Sequence, residues 1–202
     1  MRVLIACESS GRVREAFRRR GHDAWSCDLD PAEDDSPFHF QEDVRSVLRG
    51  ARTFKDWDLV IAHPPCTRLS NSGVRWLAER NLWDDMKNAC NFFNLFKWCA
   101  PKVCIENPIP HGYAKERIGD YSQIVEPWQF WHLDEPGKGE KKATCLWLHN
   151  LPPLVPTTPN EPGRHQACWL MPPTKNKRDR AVARSRTYLG IADAMAEQWG
   201  CL

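Results

Sequence analysis

An α/β protein built on a mainly parallel sheet with helices on both faces is the expectation from this sequence. Short apolar runs rich in branched residues alternate with segments whose apolar residues keep helical spacing, and that alternation is the pattern of βαβ units. The chain has 202 residues, 42% of them hydrophobic and 27% charged, enough to bury one real core but too short for a second large domain. Its mean hydropathy is −0.59. No apolar run approaches the ~20 residues that a membrane helix needs, and no signal-peptide core follows Met1, so the expected location is the cytoplasm.

The first run, Arg2-Val-Leu-Ile-Ala-Cys7, reads as a buried strand ended by Glu8-Ser9-Ser10-Gly11. A helix follows, because Val13, Ala16 and Phe17 share a face and Gly21 supplies a C-cap. Ala24 to Cys27 is the second strand, and the next two are Trp57-Asp-Leu-Val-Ile-Ala62 and Lys102-Val-Cys-Ile105. Between those two, a helix is expected after Asn71, and Met86, Ala89, Cys90, Phe93 and Phe96 mark a second one. Ala143 to Leu148 is a fifth strand, and Ile191, Ala194, Met195 and Trp199 place a last helix after Gly190. In parallel sheets of this kind ligands sit beyond the carboxyl ends of the strands. Those ends carry Cys7 to Gly11, Asp28 to Asp30, His63-Pro-Pro-Cys66 and Glu106-Asn-Pro108.

One domain over 1–202 is expected, with a core at 1–126, a proline-rich stretch at 127–175 and a basic closing segment at 176–202. Nine of the sixteen prolines lie between Pro127 and Pro173. The net charge of +2 hides segregation: residues 12–20 hold five arginines, residues 28–43 hold seven acids, and residues 164–190 hold seven bases against Asp179. The last run could follow a phosphate backbone, although a charge run taken alone is more often a solvated face. Nine cysteines without a CxxC pair read as reduced thiols.

Asp28 ends the second strand about twenty residues after the first turn, where nucleotide-binding α/β folds place an acid for the ribose hydroxyls. The first loop lacks GxGxxG, which disfavours a pyrophosphate and suits a nucleoside cofactor such as S-adenosylmethionine; an acidic surface turn is the alternative. In His63-Pro-Pro-Cys-Thr-Arg-Leu-Ser-Asn-Ser-Gly73 two prolines stiffen the backbone and present Cys66 to the crevice. A rigidly held thiol there is a candidate nucleophile, with Arg68 and the following helix expected to lower its pKa. Glu106 arrives at the same edge, where burial is expected to raise its pKa towards neutrality and suit it to general acid work.

Together these loops resemble the DNA cytosine-5 methyltransferases. Pro65-Cys66-Thr67-Arg68-Leu69-Ser70-Asn71-Ser72-Gly73 is similar to that family's Pro-Cys-Gln-x-Phe-Ser-x-x-Gly, and Glu106-Asn107-Pro108 to its Glu-Asn-Val. Residues 3–30 look like its cofactor loop and ribose acid, and Glu42-Asp43-Val44 like its adenine-binding segment. The resemblance implies a Rossmann-like S-adenosylmethionine-dependent methyltransferase fold. It also implies the cofactor at Cys7, Glu8, Ser9, Ser10, Gly11, Asp28, Leu29, Asp43, Val44 and Pro64, and catalysis by Cys66 and Glu106. DNA contacts are implied for Pro65, Arg68, Ser70, Asn107, Lys142, Arg184 and Arg186, with Arg178 and Arg180 as further phosphate contacts. The implied reaction is methyl transfer to C5 of cytosine through a covalent Cys66 adduct, on a base flipped out of the duplex.

The resemblance covers residues 1–110; beyond them Ala143-Thr-Cys-Leu-Trp-Leu148, after Lys141 and Lys142, stands in for the family's Gln-x-Arg-x-Arg strand, and Arg184 to Ala192 for its closing segment. The short recognition region leaves RNA, single strands or a nucleotide as alternative substrates, and a nucleic-acid-binding relative without turnover as another class. The compact size resembles methyltransferase-like proteins of bacteriophages, which implies work inside a bacterial host. Zinc is not expected: Cys145, His149, His165 and Cys168 have a zinc-like order, but four residues of strand span ~13 Å. The tryptophans read mainly as core and loop anchors.

Overall fold

The computed structural model describes residues 1–50, 56–130, 132, 141–158 and 185–202. Within them one seven-stranded sheet has the order β3-β2-β1-β4-β5-β7-β6. The strands are β1 Arg2–Ala6, β2 Asp23–Asp28, β3 His39–Gln41, β4 Leu59–Ala62, β5 Lys102–Pro108, β6 Gln123–Val125 and β7 Thr144–His149. The neighbours from β3 to β5 pair in parallel, and β7 runs antiparallel to both β5 and β6. The fold is therefore the expected α/β class, a Rossmann-like, mainly parallel sheet. β3 and β6 escaped the sequence reading because three residues are too few to show a period.

The helices are α1 Arg12–Arg19, α2 Val44–Gly50, α3 Arg75–Glu79, α4 Trp83–Asn94, α5 Gly112–Ile118 and α6 Leu189–Trp199. Alternate strand residues divide between two cores. Val3, Ile5, Leu59 and Ile61 pack with Val13, Ala16 and Phe17 of α1 and with Ile191, Met195 and Trp199 of α6. Leu4, Ala6, Val60 and Ala62 pack on the other face with Met86, Cys90 and Phe93 of α4 and Ile118 of α5. Burial on both faces is why these strands read as continuous apolar runs. As expected, Gly21 takes the left-handed conformation just past α1, at φ 81°. No described helix is long and apolar enough to cross a membrane.

The arginine run at 12–20 clamps α1 to its surroundings. Arg14 is fully buried. It donates to Ser26 Oγ at 2.7 Å and to Glu15 at 3.0 Å, and it pairs with Asp34. Arg12 donates to the Thr187 carbonyl at 2.8 Å, and Arg19 pairs with Asp193 of α6 at 2.9 Å. These bonds tie α1 to the C-terminal segment and to the acidic loop after β2.

Register fixes what the sheet edge displays. Ala6 lies beside Cys27 and Ala62, and Ala62 beside Ile105. The next residue along each strand, namely Cys7, Asp28, His63 and Glu106, therefore stands at one level of the sheet edge.

Candidate active site

A cavity of about 370 Å³ opens at that edge. Its walls come from Cys7 to Ser10, Asp28, His63 to Thr67, Glu106 to Pro108, Lys142 and Ser185 to Thr187. A smaller cavity of about 180 Å³ shares Cys7, Asp28 and Pro65 with it and adds Cys27, Leu29, Asp43, Val44 and Phe92. Three shared walls make the two spaces neighbours, the larger lined by many charged and hydroxyl side chains and the smaller largely apolar.

The Cys66 loop is held from three sides. The Cys66 carbonyl accepts from the amides of Leu69 and Ser70, both at 2.9 Å, folding the loop into a turn. Asn107 Nδ2 donates to the Pro64 carbonyl at 2.7 Å, joining the loop to β5. Ser70 bridges to Pro110, and His111 Nε2 donates to the Arg68 carbonyl at 2.9 Å. Gly73 is required by close approach, because a Cβ there would collide with the Thr67 carbonyl oxygen. Cys66 is consequently presented, half-buried, on the cavity wall.

On the same cavity wall, His63 Nδ1 donates to Glu106 Oε2 at 2.9 Å. Burial opposes ionisation of both groups, but the hydrogen bond and mutual charge outweigh it, so Glu106 lies below its ordinary range and His63 above. The expectation of a raised Glu106 pKa is thereby corrected: it considered burial without the imidazole that the adjacent strand supplies. Lys142 adds a further positive charge that favours the Glu106 carboxylate.

Elsewhere on the cavity Cys7 sits at φ 59°, in the left-handed region that side chains rarely adopt. Burial, with the Asp28 charge beside it, pushes its thiol well above the ordinary range. The Glu8 carboxylate accepts from the Val13 amide at 2.9 Å and from Ser10 Oγ at 3.1 Å, capping α1 from inside the wall. Asp28 accepts from the Asp30 amide at 3.0 Å and lines both cavities. Leu29 is 73% exposed at the rim of the apolar space.

No family model and no curated protein matches the chain. Among solved structures it is similar to a proposed DNA modification methyltransferase encoded within an E. coli prophage, at 16% identity and a TM-score of 0.46, over 73% of this chain and 46% of that one. It is also similar to the methyltransferase EhMeth of Entamoeba histolytica, at 15% identity and a TM-score of 0.49, over 82% of this chain and 56% of that one. The chain thus spans about half the length of these proteins.

Of the residues singled out from sequence, Cys7, Glu8, Ser9, Ser10, Asp28, Pro64, Pro65, Cys66, Glu106, Asn107, Lys142 and Arg186 line the larger cavity. Leu29, Asp43 and Val44 line the smaller one. Three line neither. Gly11 is turned to α1, where a Cβ would collide with Arg14. Arg68 faces Asp85 at 3.5 Å, and Ser70 is buried against Ser72 at 2.9 Å. The Asp43 carboxylate is gripped by Arg45 at 2.5 Å, and Arg186 is paired with Glu33 at 2.7 Å. Arg178, Arg180, Arg184, His165 and Cys168 lie outside the described residues. Among the described residues no His, Cys, Asp and Glu cluster could hold a metal ion. Sequence reasoning missed His63 and His111 as working residues; the signal for His63 was its place at a strand end level with Glu106.

Proposed function

We propose that this protein is an S-adenosylmethionine-dependent methyltransferase that modifies C5 of cytosine in DNA through a covalent adduct at Cys66. The observation that carries this reading is the convergence of Cys66 and Glu106, from separate strands, on one cavity that also reaches Asp28. The paired cavities fit the cofactor's chemistry. The apolar space between Leu29, Val44 and Phe92 suits a nucleobase, Asp28 suits the ribose hydroxyls, and the larger, more polar space suits the charged amino-acid end. The Asn107 side-chain oxygen, buried with no partner among the described residues, is an acceptor available to a ligand donor.

Bound S-adenosylmethionine supplies an electrophilic methyl group. The work of this chain is to make C5 nucleophilic. The Cys66 thiolate adds to C6, the ring electrons move towards N3, and Glu106 directs a proton to that nitrogen. After methyl transfer the C5 proton is lost to a base, the C6–S bond breaks and the thiolate returns. Asn107, bonded to Pro64, keeps the Cys66 loop and Glu106 in one frame. Base extrusion from a duplex costs a few kcal/mol and needs cationic support, a role that Lys142 on the cavity wall would serve.

The test is DNA containing 5-fluorocytosine, which has no C5 proton to lose. Wild-type protein with cofactor is expected to give an adduct that survives denaturing electrophoresis, and Cys66→Ala to give neither adduct nor 5-methylcytosine by nucleoside mass spectrometry. Methylation by Cys66→Ala overturns the mechanism, and product confined to RNA or free nucleotide overturns the DNA assignment.

A further inference from the structure

We propose that His63 is a positioning residue that orients Glu106 and holds the proton Glu106 hands to N3 of the target base. The inference rests on the cytosine reading above and deepens it. Its observation is the Nδ1 to Oε2 bond of 2.9 Å between two side chains that are nearly shut from solvent, at 9% and 15% exposure. The His63 Nε2 is buried with no partner among the described residues, so Glu106 is the group that sets the ring's orientation. Carboxylates on two elements, Glu106 of β5 and Glu8 after β1, favour the imidazolium, and Lys142 ahead of β7 opposes it.

A carboxylate that is ionised at rest has no proton to give, so the acid needs a supply. His63 provides it from the same cavity. As the C6–S bond forms, the imidazolium releases its Nδ1 proton to Glu106 and Glu106 delivers a proton to N3. Glu106 ends as it began, His63 has lost one proton, and N3 has gained one. Elimination returns that proton along the same path. The C5 proton leaves separately, to solvent base.

Asparagine separates orientation from proton supply, because its amide can donate to Glu106 but cannot titrate. His63→Asn is expected to lower kcat at pH 7.5 by about 100-fold, the lower end of what a positioned proton-transfer group contributes, with KM for DNA little changed. The alkaline limb of the kcat profile should move to lower pH, since Glu106 must then carry the proton itself. Nitrogen-15 histidine spectra provide a measurement independent of turnover: His63 should titrate above its ordinary 6.5 in wild type and fall in Glu106→Gln. A folded His63→Asn protein with wild-type kcat and an unmoved limb overturns the inference alone, as does a His63 signal indifferent to Glu106→Gln. A wild type without product or trapped adduct at any pH overturns the cytosine reading and this inference with it.

Discussion

His111 donates from Nε2 to the Arg68 carbonyl at 2.9 Å while its Nδ1 accepts from the Ala114 amide at 3.1 Å. One buried imidazole therefore caps α5 and fastens the loop that carries Cys66, and its two bonds specify a neutral ring protonated on Nε2. The Cys66 loop is held to the β5–α5 connection next to the strand that delivers Glu106, so thiol and carboxylate share one rigid support.

His111→Ala removes both side-chain bonds; the Ala114 amide keeps the His111 carbonyl at 3.1 Å, but the Arg68 carbonyl loses its donor, at a cost of about 1–3 kcal/mol. Adduct formation on 5-fluorocytosine DNA should slow by about tenfold or more, because small misplacement of a reacting group is costly. Cofactor binding, measured by calorimetry, should stay at the wild-type value.

The His63–Glu106 pair makes stability depend on pH in a defined window. His63, raised in the fold, stabilises fully below its ordinary 6.5 and loses this contribution as pH rises through the raised value. Glu106, lowered in the fold, contributes fully above its ordinary 4.5 and loses this as pH falls through the lowered value. The full contribution therefore lies between pH 4.5 and 6.5. Urea unfolding at pH 6 should find His63→Ala about 3–5 kcal/mol less stable than wild type, the cost of orphaning a buried charge, and the gap should narrow by pH 9.

Cofactor affinity should discriminate between the two acids of the proposed cofactor site. Asp28→Ala removes a carboxylate that lines both cavities and should weaken S-adenosylhomocysteine binding by about 10-fold to 100-fold. Asp43→Ala should have a smaller effect, because Arg45 already engages both its oxygens and holds its pKa down at about 2. Calorimetry on the two variants gives the ranking, and equal losses would contradict it.

Cys7 carries strain that a substitution series exposes. At φ 59° a left-handed conformation costs an L residue about 1–2 kcal/mol, and more when it is β-branched. Cys7→Val should be less stable than wild type by the extra cost of branching over the cysteine's own, whereas in Cys7→Gly relief of strain offsets the lost packing and chemical unfolding should place it within about 1 kcal/mol of wild type. A Cys7→Val protein as stable as Cys7→Gly would contradict the conformational account.

Consecutive residues were enough to reveal the α/β class, most of the strands and the four loops at their carboxyl ends. Runs such as Val3 to Ala6 and Leu59 to Ala62 are apolar throughout because both sheet faces are covered, so they announce themselves without any alternation. Asp28, Cys66 and Glu106 were legible for the same reason, as chemical residues closely following apolar runs. What each of them meets is a matter of long-range packing. The reversal of β7, the burial of Arg14 under the acidic loop and the turning of Arg68 to Asp85 leave no periodic trace. Most consequentially, His63 and Glu106 are 43 residues apart, and only the pairing of β4 with β5 brings them to 2.9 Å. Burial alone predicts a carboxyl that keeps its proton. Adjacent strand ends, which no local pattern encodes, supply the cation that reverses that outcome.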